Sequence, residues 1–155
     1  MKKYLIILFL FLSLTSNVSA ETKRIIVGNQ DAKITIIAYE SLTCNHCANF
    51  HEEVYPKLKK DYIDTGLAKI EFRHFPLDLA ALNAAKISQC KNNQSLKILE
   101  SLYSNQQTWV KGNTIEEVNE SLKKFIQNEG FKIDFEKCIQ NKEIEDFVLN
   151  DRIEG

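Results

Sequence analysis

Two cysteines two residues apart, Cys44-Asn45-His46-Cys47, stand between a β-branched apolar run and a run with helical spacing, and this placement narrows the folds open to the chain. Upstream, residues 33–39 (KITIIAY) are apolar enough to predict a central strand buried on both faces. Downstream, Phe50, Val54 and Leu58 recur at i, i+4 and i+8 as the apolar stripe of a helix. Pro56 falls inside that stripe, where a proline removes one hydrogen bond and kinks the helix. Residues 67–75 (LAKIEFRHF) alternate as a second strand, and Pro76 stops it. Residues 24–27 add a short β-rich stretch before a turn at 28–31. Strand–helix–strand is a parallel βαβ unit, and the cysteines fall at the strand's carboxyl end, where α/β sheets usually build their sites.

The chemistry follows from the placement. One helical turn brings both thiols within disulfide reach. The unpaired N–H groups and dipole of a helix start favour a thiolate at Cys44, and the thiolate is the nucleophile of thiol–disulfide exchange. Cys44 and Cys47 are therefore the expected redox pair, with His46 held between them as a further functional residue. Two other readings stay open for the pair. One is a structural disulfide, although such bridges rarely close so small a loop. The other is half a zinc site with His51 as third ligand, for which no fourth ligand is evident nearby. Haem attachment would need a histidine directly after Cys47, and Ala48 is there. No cofactor and no metal are expected.

The first twenty residues are predicted to be a secretory signal peptide. Lys2 and Lys3 open it, residues 4–14 are apolar but for Ser13, and Val18-Ser19-Ala20 supplies small residues at the cleavage point. The apolar run falls short of the roughly 20 residues of a membrane span, so no stable membrane insertion is expected. Residues 21–155 make one domain. Without Lys2 and Lys3 the basic residues fall from 20 to 18 against 21 acidic ones, a net charge of −3. No basic block stands out, which argues against nucleic acid as a partner. In an oxidising compartment cysteines pair; closure of Cys44 with Cys47 leaves Cys90 with Cys138 as a possible structural disulfide.

From about residue 78 the pattern turns helical and stays so to about 150. Ala80, Ala84, Ala85 and Ile87 suit a tightly packed helix, and Leu96, Leu99, Leu102 and Tyr103 mark a second. Thr114-Ile115-Glu116-Glu117 fits a capping box ahead of Val118, Leu122, Phe125 and Ile126. Asp134 caps a short helix holding Cys138, and Ile144, Phe147 and Val148 belong to a last one. Trp109 and Tyr103 are expected in the core, and His51 and His74 as ordinary surface or strand-end residues.

The stretch from Tyr39 to His51 resembles the strand, active-site turn and helix of DsbA-family thiol–disulfide oxidoreductases. Phe75-Pro76-Leu77 and the alanine-rich helix after it are similar to the entry into that family's helical domain. The resemblance implies an α/β thioredoxin-like fold with an inserted all-helical subdomain, and a periplasmic protein that oxidises dithiols. Its partners would be reduced or unfolded exported polypeptides and a membrane redox partner that reoxidises the pair. It also implies that His46 helps to hold the Cys44 thiolate, and some bacterial members carry a second cysteine pair. A disulfide reductase or isomerase is the alternative within the class, and a non-catalytic relic the alternative outside it.

The chain departs from the family pattern in three places. Asn45 replaces the usual proline between the cysteines. Ala38 stands six residues before Cys44, where the family often has an acid, and Glu40 lies two residues later on the same strand face. The sequence also ends at Ile153-Glu154-Gly155, where the family continues into a cis-proline loop, two strands and a helix. The expectation is a shortened chain that leaves the KITIIAY edge unpaired and folds poorly alone.

Overall fold

The computed structural model describes residues 22–155, so the expected signal peptide lies outside the described residues. β1 (Ile25–Gly28), β2 (Ile34–Glu40) and β3 (Ala68–His74) form one sheet in the order β1-β3-β2. β2 runs parallel to β3, from Ile34 opposite Ala68 to Glu40 opposite His74, and β1 runs antiparallel to it, with Ile25 opposite Phe72. The βαβ unit is therefore present, and its second strand, β3, lies at the centre of the sheet. Ala68, Ile70, Phe72 and His74 alternate inward and are buried, whereas Lys69, Glu71 and Arg73 take the other face.

β2 has the unpaired edge expected of the KITIIAY strand, but it corrects the expectation of a strand buried on both faces. Its outer edge has no partner strand among the described residues, and Ile34 and Ile37 are 58% and 45% exposed. An apolar run records what a strand's faces tolerate. It does not record how many neighbours the strand has.

The helix after the cysteines has an unexpected register. It opens as α1 (Asn45–Asn49), widens into a π segment (Phe50–Val54), resumes as α2 (Tyr55–Leu58) and widens again over Lys59–Ile63. The Tyr55 N–H reaches back five residues to the Phe50 carbonyl, and the Asp64 N–H to that of Lys59. The first wide turn inserts an extra residue just before Pro56, which then sits in the first turn of α2, where a missing N–H costs little. The insertion also rotates the stripe. Tyr55 is buried in place of Val54, which is 51% exposed.

The remainder is helical: α3 (Leu79–Gln89), α4 (Ser95–Ser104), α5 (Gln106–Trp109), α6 (Ile115–Asn128), α7 (Phe135–Ile139) and α8 (Lys142–Glu154). Asp78, Thr114, Asp134 and Asn141 cap α3, α6, α7 and α8 with their side-chain oxygens. The capping box around Thr114 is displaced by one residue, since Glu117 accepts from the Asn113 N–H. One apolar cluster runs from Ile70 and Phe72 of the sheet through Ala84, Leu102 and Trp109 to Ile126 and Val148. Trp109 is fully buried and donates its indole N–H to the Leu102 carbonyl at 2.8 Å. A disulfide joins Cys90, at the end of α3, to Cys138 in α7. Closing a 48-residue separation is worth about 4 kcal/mol as lost freedom of the unfolded chain. No helix among the described residues is long and apolar enough to cross a membrane.

α8 returns to the sheet, where Asp151 accepts from the His74 N–H at 3.1 Å and Arg24 and Arg73 clasp Glu154. His74 does end a strand, but it is wholly buried, and burial pushes its imidazole down to about 4. Its Nε2 accepts from the Gln89 amide at 2.9 Å, an arrangement that needs that nitrogen unprotonated. The folded state thus refuses a proton that the unfolded chain accepts from about pH 6.5 downward. The sign is destabilising: stability held above pH 6.5 should be lost progressively toward pH 4, by about 3 kcal/mol. Urea unfolding of wild type and His74→Asn at pH 7 and pH 4.5 measures this. The wild type should lose more on acidification than the variant, and equal losses would refute the assignment.

Candidate active site

Cys44 occupies the N-cap position of α1 with extended backbone, so its side chain folds over the free amides of the first turn. The Cys44 sulfur accepts from the Cys47 N–H at 3.4 Å, and the His46 N–H and the Cys47 thiol also point to it. Burial opposes a charge on this sulfur, but the three donors outweigh it and bring the Cys44 pKa below that of an ordinary thiol. Cys47 behaves oppositely. Burial, together with the neighbouring Cys44 sulfur and the Glu40 carboxylate, pushes it up to about 11 despite a backbone hydrogen bond from Ser41. Both thiols are free in this state. One sulfur is prepared as an anion and the other is held as a proton carrier.

The turn before Cys44 is fixed from two sides. The Thr43 hydroxyl donates to Asp78 at 2.7 Å, and the Leu77 N–H donates to the Ser41 hydroxyl at 3.3 Å, which ties the turn to the start of α3. From α5 the Gln106 amide donates to the carbonyls of Leu42, at 2.8 Å, and Cys44, at 3.2 Å. Gln106 is itself buried.

Behind the cysteines lies a polar cluster. Glu40, the last residue of β2, has a buried carboxylate that meets His51 Nε2 at 2.7 Å. The His51 side chain is 5% exposed, and its ring stacks on Tyr103 of α4 with centroids 4.1 Å apart. His51 Nδ1 is buried and has no hydrogen-bond partner among the described residues. Burial, followed by the negative charge of Glu40 and the two sulfurs, holds the Tyr103 hydroxyl well above its ordinary range.

Residues 20–154 match the Thioredoxin family. The chain belongs to the thioredoxin family, among its DsbA-like members. Alpha-DsbA1 of Wolbachia pipientis superposes with a TM-score of 0.73 at 35% identity, covering 84% of this chain and 66% of that one. A Rickettsia bellii protein assigned as a protein-disulfide oxidoreductase is 33% identical over 95 residues, which are 60% of this chain and 37% of that protein. The chain thus spans little more than a third of the length of that relative. BdbD of Bacillus subtilis, at 22% identity and a TM-score of 0.59, shares the fold.

In this thioredoxin-family chain Cys44, His46 and Cys47 fall together at the carboxyl end of β2, with the His46 ring exposed and its main-chain amide turned to the Cys44 sulfur. Cys90 and Cys138 lie in the helical part, joined to each other. The expectation of His51 as a surface residue is corrected: one turn beyond Cys47, it shares the inward side of the helix and pairs with Glu40. Strand parity placed Glu40 on the face of Ala38, but nothing in the sequence linked its carboxylate to His51. Gln106 left no signal in the sequence, because its role is to satisfy two carbonyls more than sixty residues away.

Proposed function

We propose that this chain is a protein-disulfide oxidoreductase that oxidises dithiols in exported polypeptides, acting in the periplasm. The supporting observation is the asymmetry of the two sulfurs, one made acidic by the Cys47 thiol and the amides of its own helix start and the other kept protonated by burial. Holding Cys44 as a thiolate stabilises the reduced dithiol, by about 1.4 kcal/mol for each unit of pKa depression, and so makes the closed pair a stronger oxidant. DsbA is the extreme of this effect, a strong oxidant because its reduced form is stabilised.

In the oxidised state a substrate thiolate attacks Cys44 Sγ, the Cys44–Cys47 bond breaks, and its electron pair leaves on Cys47, which takes up a proton. A second substrate thiolate then attacks the substrate sulfur of the mixed disulfide and expels Cys44 as the thiolate. The substrate loses two electrons and two protons. The chain retains both electrons and one proton, on Cys47, and the other proton passes to solvent. A membrane redox partner that accepts the two electrons would close the cycle.

The test mixes the chain, with its Cys44–Cys47 bond closed, with a reduced dithiol peptide and follows the peptide by mass spectrometry. One peptide disulfide should form per chain, and equilibration with glutathione should place the pair on the oxidising side. No transfer would overturn the reading, and a pair more reducing than glutathione would make it a reductase.

A further inference from the structure

Beside the cysteines, between the exposed flank of α1 and the corner where α4 meets α5, runs a groove of about 260 Å³. Asn45, Asn49, Gln107, Ser104 and Thr108 line it, and all five are exposed. The side-chain amides of Asn45, Asn49 and Gln107 make no hydrogen bond among the described residues. Asn45 lies inside the motif itself. Gln106, also in the lining, binds the Cys44 carbonyl at 3.2 Å, so the wall of the groove is attached to the main chain of the nucleophile.

The lining decides what fits. Each primary amide offers two donors and an acceptor, the same complement that the N–H and C=O groups of an extended chain require. No lysine or arginine lines the groove and its one charged residue is Glu52, so phosphates and other anions find no counter-charge. The volume lies below the roughly 300 Å³ at which small-ligand pockets begin. Main chain needs only a shallow channel beside the reacting atom, and neutral amides do not select among side chains.

We propose that this groove holds the main chain of an extended polypeptide segment flanking the substrate cysteine that reacts at Cys44. The inference rests on the oxidoreductase reading above and names the part of the substrate recognised. Recognition of backbone suits an oxidant that meets many unfolded sequences, and Glu52 at the groove disfavours acidic residues there.

The test compares rates of reduction of the oxidised full-length chain by a ten-residue cysteine peptide and by dithiothreitol, which has no peptide backbone. In an Asn49→Leu/Gln107→Leu variant the ratio of the peptide rate to the dithiothreitol rate should fall about tenfold, the loss of two ordinary hydrogen bonds. Asn49→Gln/Gln107→Asn should recover most of it. A peptide N-methylated beside its cysteine should react more slowly with wild type and show little further loss with the leucine variant. An unchanged ratio overturns the groove. Failure of wild type to react even with dithiothreitol would instead overturn the oxidoreductase reading, so the two failures are distinct. Should the leucine variant misfold by circular dichroism, the N-methyl comparison on wild type decides, and equal rates for the two peptides would sink the proposal.

Discussion

Replacing Cys44 with serine should abolish dithiol oxidation outright, because a hydroxyl can neither form the disulfide nor accept the substrate sulfur. Cys47→Ser removes the leaving group as well, but it should behave differently. It leaves Cys44 as a lone nucleophile whose sulfur keeps the amides of His46 and Cys47, and the serine hydroxyl replaces the lost thiol donor. That variant should be inactive in turnover yet trap a mixed disulfide with an activated substrate. The rate of its alkylation by iodoacetamide against pH should have its midpoint below that of a free thiol such as N-acetylcysteine. A midpoint at the ordinary value would mean that burial outweighs the donors at the helix start, and the mechanism would lose its driving force. In wild type the acidic Cys44 should be alkylated first, while burial keeps Cys47 protonated and slow to react, which separates the two sulfurs in one titration.

How far this site was readable from the sequence differs from residue to residue. The strand–CxxC–helix signal is local. It needs only alternation, a helical stripe and two cysteines, and it placed Cys44 and Cys47 at the end of β2. The helical caps at Asp134 and Thr114 are local in the same sense. What failed depended on distant partners or on small changes of phase. The apolar run KITIIAY suggested burial on both faces, whereas Ile34 and Ile37 of this edge strand are exposed. The stripe Phe50-Val54-Leu58 assumed an uninterrupted α-helix, and a single π turn ahead of Pro56 exchanged Val54 for Tyr55. His51 looked like a surface residue because the strand that ends in Glu40 and the helix that carries Tyr103 meet it only in three dimensions.

His51 is also where a substitution away from the sulfurs should cost most. His51→Leu removes the 2.7 Å donor of a buried carboxylate and the ring stacked on Tyr103, and leaves Glu40 with its desolvation uncompensated. Stranding a buried acceptor of this kind costs about 1–3 kcal/mol, and more where it is charged. Glu40→Gln is milder, at about 1 kcal/mol, because its amide oxygen still accepts from the imidazole. The double variant Glu40→Leu/His51→Leu should be more stable than His51→Leu alone, since the stranded charge is gone and both side chains are apolar. Urea unfolding of wild type, His51→Leu, Glu40→Leu and the double variant closes the cycle and gives the coupling, and losses that simply add would show that the two residues do not act as a pair. The same series reports on the sulfurs. The Glu40 charge is one of the influences raising both thiol pKa values, so its neutralisation in Glu40→Gln should let Cys47 ionise at lower pH and make Cys44 still more acidic. The chain therefore carries an acid that works against its own nucleophile. That cost is intelligible if the carboxylate is there to keep Cys47 protonated, because a Cys47 that ionised readily would compete with Cys44 for the donors that stabilise a single negative charge.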